Sequence, residues 1–159
     1  MRPLRQTEPE LRRAIQVLNR RDLTAGDQAL FYGRGAEAHR LLLRLAADEE
    51  VADLPRRQAL HLLYGLQLRG PDLDELRTRD HLPLLSALVA LLSSPRQGVR
   101  STAATILARL LELAVRRTFS HFSFDPTPFI TALRHTDRTS FDQGTQEYLE
   151  RWLQKYAGG

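Results

Sequence analysis

Five histidines are the side chains best suited to proton transfer or metal binding in this 159-residue chain: His39, His61, His81, His121 and His135. A zinc site needs ligands that converge from short spacings, such as two histidines on one helix face. No histidine here has such a neighbour, and a chain without cysteine has neither thiolate ligands nor disulfides. Each histidine therefore reads as an ordinary core or surface residue. Asp72, Asp74 and Glu75 could hold a cation, but acids in the first turn of a helix are explained by capping and the helix dipole. Gly33-Arg34-Gly35 lacks the third glycine and the preceding strand of a dinucleotide loop. No Gly-x-Ser-x-Gly or Walker sequence occurs. The expectation is a protein that is not an enzyme, with no catalytic residue, no cofactor and no metal.

The chemistry left to the chain is recognition. Net charge is +4 with a pI of about 10.1, because nearly every basic residue is an arginine, which stays charged far above neutrality. The charge is concentrated in two islands, residues 1–21 and residues 94–121, on a mildly acidic remainder. Such islands suit a polyanion, and they equally suit solvated helix ends or an arginine-biased genome. The stretch Arg116-Arg117-Thr118-Phe119-Ser120-His121-Phe122-Ser123-Phe124 joins two arginines to three phenylalanines. With Arg96, the residues Arg116, Arg117, Phe119 and Phe122 form a candidate nucleic-acid contact, with phosphates clamped and bases stacked. The same aromatics could instead plug a junction between helices. Trp152, at a helical core spacing, reads as packing.

Leu and Ala dominate the apolar residues, and no stretch alternates with period two, so the elements that must position these groups are helices. Thr7 and Glu10 form a capping box for a helix to about Arg20 with Leu11, Ile15 and Leu18 inward. Asp22 or Thr24 opens a short helix to Tyr32, and Gly33-Arg34-Gly35 breaks the chain. Further helices are expected over 36–47, from Asp53 to Leu68, from Asp72 to Arg77, over 82–92 behind Asp80, from Ser94-Pro95 to Val115, from Asp125-Pro126 to Leu133, and from a Ser140 cap with Gln143 to about Tyr156, burying Tyr148, Leu149, Trp152 and Leu153. The longest apolar run, Leu82 to Leu92, is too short to span a membrane. The N-terminus does not read as a secretory signal, and the lack of cysteine suits a cytoplasmic setting.

The helices repeat. Residues 54–66 align with residues 98–110 at an offset of 44, setting Arg56 on Arg100, Ala59 on Ala103, Leu62 on Ile106, Leu63 on Leu107 and Leu66 on Leu110. Periods of this length mark helical-hairpin arrays. The stretch Leu82-Pro83-Leu84-Leu85, Ser93-Ser94-Pro95, Val99-Arg100 and Ala103-Ala104 resembles a unit of the HEAT and armadillo repeat families. The match covers 80–114, is partial over 34–69 and weak over 125–157. The resemblance implies an all-α fold, a short right-handed α-solenoid of about three hairpins in one domain, 1–159. Residues 1–32 would be capping helices, and 33–70, 80–115 and 125–157 the hairpins. A compact bundle of look-alike hairpins is the alternative.

The resemblance further implies an inner surface lined by the second helix of each pair, which these families use mostly to hold proteins and sometimes nucleic acid. One HEAT-like family removes alkylated DNA bases, but its pocket residues cannot be placed on this chain. The expected partner-binding residues are Arg57, His61 and Tyr64, with Arg100, Ser101, Thr105 and Arg109, all read as pointing away from the core. The expected function is a non-catalytic adaptor for another protein or peptide. The alternative is a nucleic-acid binder using the islands at 1–21 and 94–121. The oligomeric state stays open.

Overall fold

In a computed structural model, residues 3–20, 22–33, 36–68, 81–116 and 124–156 are described. They form eight α-helices and one 3-10 turn, with no strand among them: α1 (Pro3–Leu18), α2 (Ala25–Tyr32), α3 (Ala36–Ala47), α4 (Asp53–Leu68), α5 (His81–Leu91), α6 (Gln97–Val115), α7 (Thr127–His135), the turn Arg138–Ser140, and α8 (Gln143–Tyr156). The chain is all-α, as its composition implies. None of these helices is long and apolar enough to cross a membrane. The expected helix Asp72–Arg77 and the Asp80 cap lie outside the described residues.

Two helices organise the core. Helix α4 packs on α3, α6 and α1, and α6 packs on α4, α5, α7 and α8. Being approached from four directions, α6 buries residues all round its circumference: Val99, Ala103, Ile106, Leu107 and Leu110, and also Ala104, Ala108 and Leu111. Alanines at 103, 104 and 108 let neighbouring axes come close. Along the other flank, α3 touches α5 and α5 touches α7. Each fully buried leucine along this core contributes about 1.5–3 kcal/mol of transfer free energy.

Two arginines tie the hairpin turns together. The Arg56 side chain is fully buried, a costly place for a cation unless its donors are matched. They are matched: Nε donates to the Ala46 carbonyl at 3.0 Å, and the two terminal nitrogens donate to the Glu49 carboxylate at 2.9 and 3.0 Å. Glu49 in turn accepts from Ser94 Oγ at 3.3 Å, in the turn after α5. Further along the chain, Arg100 donates to the Ser94 carbonyl at 2.8 Å and, through Nε and its second terminal nitrogen, to the Ser140 carbonyl at 3.2 and 2.6 Å. Each arginine thus engages the turn before its own helix and is linked to the turn of the following pair.

Several helix starts differ from expectation. Helix α1 runs from Pro3 through Pro9, so Thr7 is inside it rather than at its cap; Pro9 costs the helix one backbone bond without ending it. Thr24, rather than Asp22, caps α2 in a reciprocal box with Asp27. Helix α6 starts at Gln97 behind Arg96, whose donor-only guanidinium makes no side-chain cap, and Ser94 Oγ accepts from the Arg96 amide at 3.3 Å within the turn. Ser140 closes the 3-10 turn and does not cap α8. Asp142 accepts there from the Thr145 amide at 2.8 Å, and its own carbonyl takes the Gln146 amide.

Candidate docking face

The shared flank of α4, α6 and α8 gathers polar and aromatic side chains at spacings set by helix geometry. Arg57 and His61 are one turn apart on α4, with Tyr64 three residues further on, so all three share a face. Gly98 at the start of α6 explains how closely α6 approaches Arg57. A Cβ added there would lie 3.3 Å from Arg57 Cδ and from Asp53 Oδ2. The Arg57 stem is half-buried, and its Nε has no hydrogen-bond partner among the described residues.

Arg109, exposed on α6, connects the three helices electrostatically. His61 keeps an accessible surface. The protein packed around it and the positive charges of Arg109 and Arg57 hold its pKa below the ordinary histidine value of 6.5. Arg109 also acts on the Tyr148 phenol of α8. Burial pushes the Tyr148 phenol up; Arg109 opposes that shift, and Glu112 and Tyr64 lie near enough to act on it. Arg57, His61, Tyr64, Arg109 and Tyr148 therefore form one electrostatically coupled group on three helices. At one end His61 also lines a cleft of about 320 Å³ with Asp22, Leu23, Gln28, Tyr32, Gln58 and Leu62.

The sequence places Arg57, His61, Tyr64, Thr105 and Arg109 on this flank, and each has at least partial exposure. Thr105 returns its hydroxyl to the Ser101 carbonyl at 3.0 Å. Two expected residues are turned differently. Ser101 does not point away from the core: it is only 3% exposed, and its Oγ accepts from the Asp142 amide at 2.9 Å. Arg100, half-buried, directs its guanidinium at the turn carbonyls described above. Both residues therefore anchor the entry to α8. Sequence reasoning missed Tyr148, read as core; it is half-buried, and the charge of Arg109 acts on its phenol. Its spacing from Leu149 and Trp152 gave the helix stripe but not which edge of that stripe stays wet.

The candidate nucleic-acid contact is only partly visible. Arg117, Phe119 and Phe122 lie outside the described residues. Arg96 pairs with Asp53 at 3.2 Å, with both side chains well exposed. Arg116 lies over the Tyr156 ring at 5.9 Å. Phe124 stacks edge-on against Phe129 with 5.8 Å between centroids, packed against the core. Trp152 is core, 5.0 Å from the Tyr156 ring. Among the histidines, His39 is buried against Gln67 Nε2 at 3.3 Å. His135 is exposed at the end of α7. His121 lies outside the described residues, as does the His81 side chain. Among the described residues no group of three or more His, Asp or Glu is placed to hold a metal ion.

Compared with known proteins, the chain matches no family model, no curated protein and no solved structure.

Proposed function

We propose that the protein is a non-catalytic adaptor, that its hairpins form a short right-handed α-solenoid of the HEAT/armadillo kind, and that another polypeptide docks on the α4–α6–α8 face. The observation that carries this reading is the coupled group of Arg57, His61, Tyr64, Arg109 and Tyr148. These side chains come from three helices that succeed one another at the repeat interval. Arginine and tyrosine are the residues that most often anchor protein interfaces, because each joins a large packing surface to directional hydrogen bonds. The order of packing, α4 on α6 and α6 on α8 with α3 on α5 and α5 on α7, supports a stepwise stack. A chain without cysteine suits work in the cytoplasm.

The test is site-specific photocrosslinking in the source cell, with the reactive side chain at Tyr64 or Tyr148 on the face, or at Ser86 or Ala90 on exposed positions of α5. The face positions should capture one discrete polypeptide that the α5 positions do not. R57E and R109E should each weaken that association by about 1–2 kcal/mol. Capture through α5 alone, or none through the face, would overturn the reading.

A further inference from the structure

We propose that the turns 48–52, 92–96 and 136–142 reorient together through a hydrogen-bonded relay centred on Ser94, so that loosening Glu49 on the first turn is felt at Ser140 on the third. The relay does not depend on what docks elsewhere on the molecule. Every link in it is a direct contact. Arg56 holds the Ala46 carbonyl and the Glu49 carboxylate, and Glu49 accepts from Ser94 Oγ at 3.3 Å. The Ser94 carbonyl accepts from Arg100 at 2.8 Å, and Arg100 reaches the Ser140 carbonyl at 2.6 Å. Ser94 is where the two arginine systems meet: its hydroxyl serves the first turn and its carbonyl the third. The hydroxyl also accepts from the Arg96 amide at 3.3 Å, which fixes the side chain to its own turn. At 4% exposure, Ser94 has little water to replace a lost partner.

Rigidity makes this series of contacts a relay rather than three separate anchors. A guanidinium is planar, with its donors in a fixed fork. In Arg100 one terminal nitrogen is committed to Ser94, and Nε and the other terminal nitrogen to Ser140. A displacement of the Ser94 carbonyl tilts that plane, and the bonds to Ser140 lose their alignment. Arg56 is built the same way between Ala46 and Glu49.

The third turn is placed to respond. The Asp142 amide in it donates to Ser101 Oγ at 2.9 Å. Arg100 and Ser101 are consecutive on the first turns of α6, so a shift there reaches the third turn by both routes. Between the first two turns a parallel tie exists, Arg96 to Asp53 at 3.2 Å, but both side chains are well exposed and the pair is correspondingly weak. The link through Glu49 and Ser94 is the covered one.

Amide exchange resolved by residue in the full chain is the test. One reporter is the Val51 amide of the first turn, which donates to the Asp48 carbonyl at 3.1 Å. The others are the Phe141 and Asp142 amides of the third, bonded to the Arg138 carbonyl and to Ser101 Oγ. E49Q leaves Arg56 one acceptor atom where the carboxylate offered two. It should speed exchange at Phe141 and Asp142 by about two- to fivefold, the low end for coupling along a polar network. S94A removes the hydroxyl but keeps the Ser94 carbonyl and both guanidiniums. In an S94A background, E49Q should still speed Val51 and should add nothing at Phe141 and Asp142. In the reverse direction R100M should speed Val51, and should cease to do so once S94A is present. D27N breaks the Arg20–Asp27 pair, which lies off the relay, and should leave Phe141 and Asp142 unchanged; it separates transmission from a general loss of stability. Circular dichroism confirms that each variant stays helical, and E49Q against D27N decides alone if the double variants do not fold. An E49Q effect confined to the first turn, the same effect in S94A, an R100M variant silent at Val51, or an equal response of the third turn to D27N would overturn the proposal.

Discussion

His61 and Glu49 oppose acid by different routes. The folded pKa of His61 lies below its ordinary 6.5, so near that pH the folded chain binds fewer protons than the unfolded one. The stability tied to neutral His61 is present above about 6.5 and is lost as pH falls from there through the folded value. Glu49 is held below its usual 4.5, first by the hydrogen bonds from Arg56 and then by its charge and by Ser94. Its contribution is present above 4.5 and is lost as pH falls through its folded value. Urea midpoints measured from pH 7 downward should show the wild type weakening in two stages. H61Q should flatten the first. E49Q should cost about 1 kcal/mol at neutral pH, less than the roughly 1.5–3 of a bond to a charged group because the Glu49 side chain is 45% exposed, and nothing below the second stage. Parallel curves for wild type and H61Q between pH 7 and 5 would contradict the histidine account. At this scale the sequence shows residue types but not their direction. The alignment that sets Arg56 on Arg100 holds the needed signal, since residues at one register share one environment. Read through it, Arg57 corresponds to Ser101 and not to Arg100. Grouping Arg57 with Arg100 on one surface therefore mixed two registers, and only coordinates show which of them faces the turns.

Among the described residues helix existence was legible element by element, because the leucine periodicity that identifies a helix is the same pattern that buries it. Helix starts were less so, since Ser140 and Asp142 both have capping chemistry and the choice between them at α8 is made by a tertiary bond. Ser101, on α6, takes the Asp142 amide, and no local window includes that bond, whose partners are far apart in sequence. Close approaches are equally hidden. Gly65 on α4 lies under the Tyr32 ring of α2, and an added Cβ would run into the Tyr32 hydroxyl. Gly65→Ala gains helix propensity worth up to about 1 kcal/mol, yet it must displace that ring. The net result should be a loss of about 1 kcal/mol or more, read as a lower thermal midpoint, with G65A/Y32F no better than half restored. A stabilised G65A would show that Tyr32 moves aside freely. Arg100 offers the second test at this scale. R100M should speed amide exchange in residues 138–146, whereas S140A should leave it unchanged, because the bond is made to the Ser140 carbonyl and not to its hydroxyl.

Across the whole molecule, a stepwise stack and a bundle round one axis make different claims about cooperativity. In a stack each pair leans only on its neighbours, so damage at one end stays local. Leu149, fully buried on α8, should cost about 2–5 kcal/mol when changed to Ala. In the proposed stack, L149A should raise exchange in α7 and α8 well before α3 and α4, with α6 intermediate. Uniform loss of protection in all eight helices would favour the bundle. On the proposed stack, the sequence likeness between α4 and α6 would weaken at the end because α8 meets α6 along one flank. The arginine ties carry a last implication. Apart from the Glu49 carboxylate, they are anchored on peptide carbonyls at Ala46, Ser94 and Ser140, groups that every amino acid supplies. At Arg100 the joint is indifferent to the identity of the residues it grips, so those two bends are open to drift in sequence, whereas at Arg56 the onward link needs the Glu49 carboxylate and the Ser94 hydroxyl.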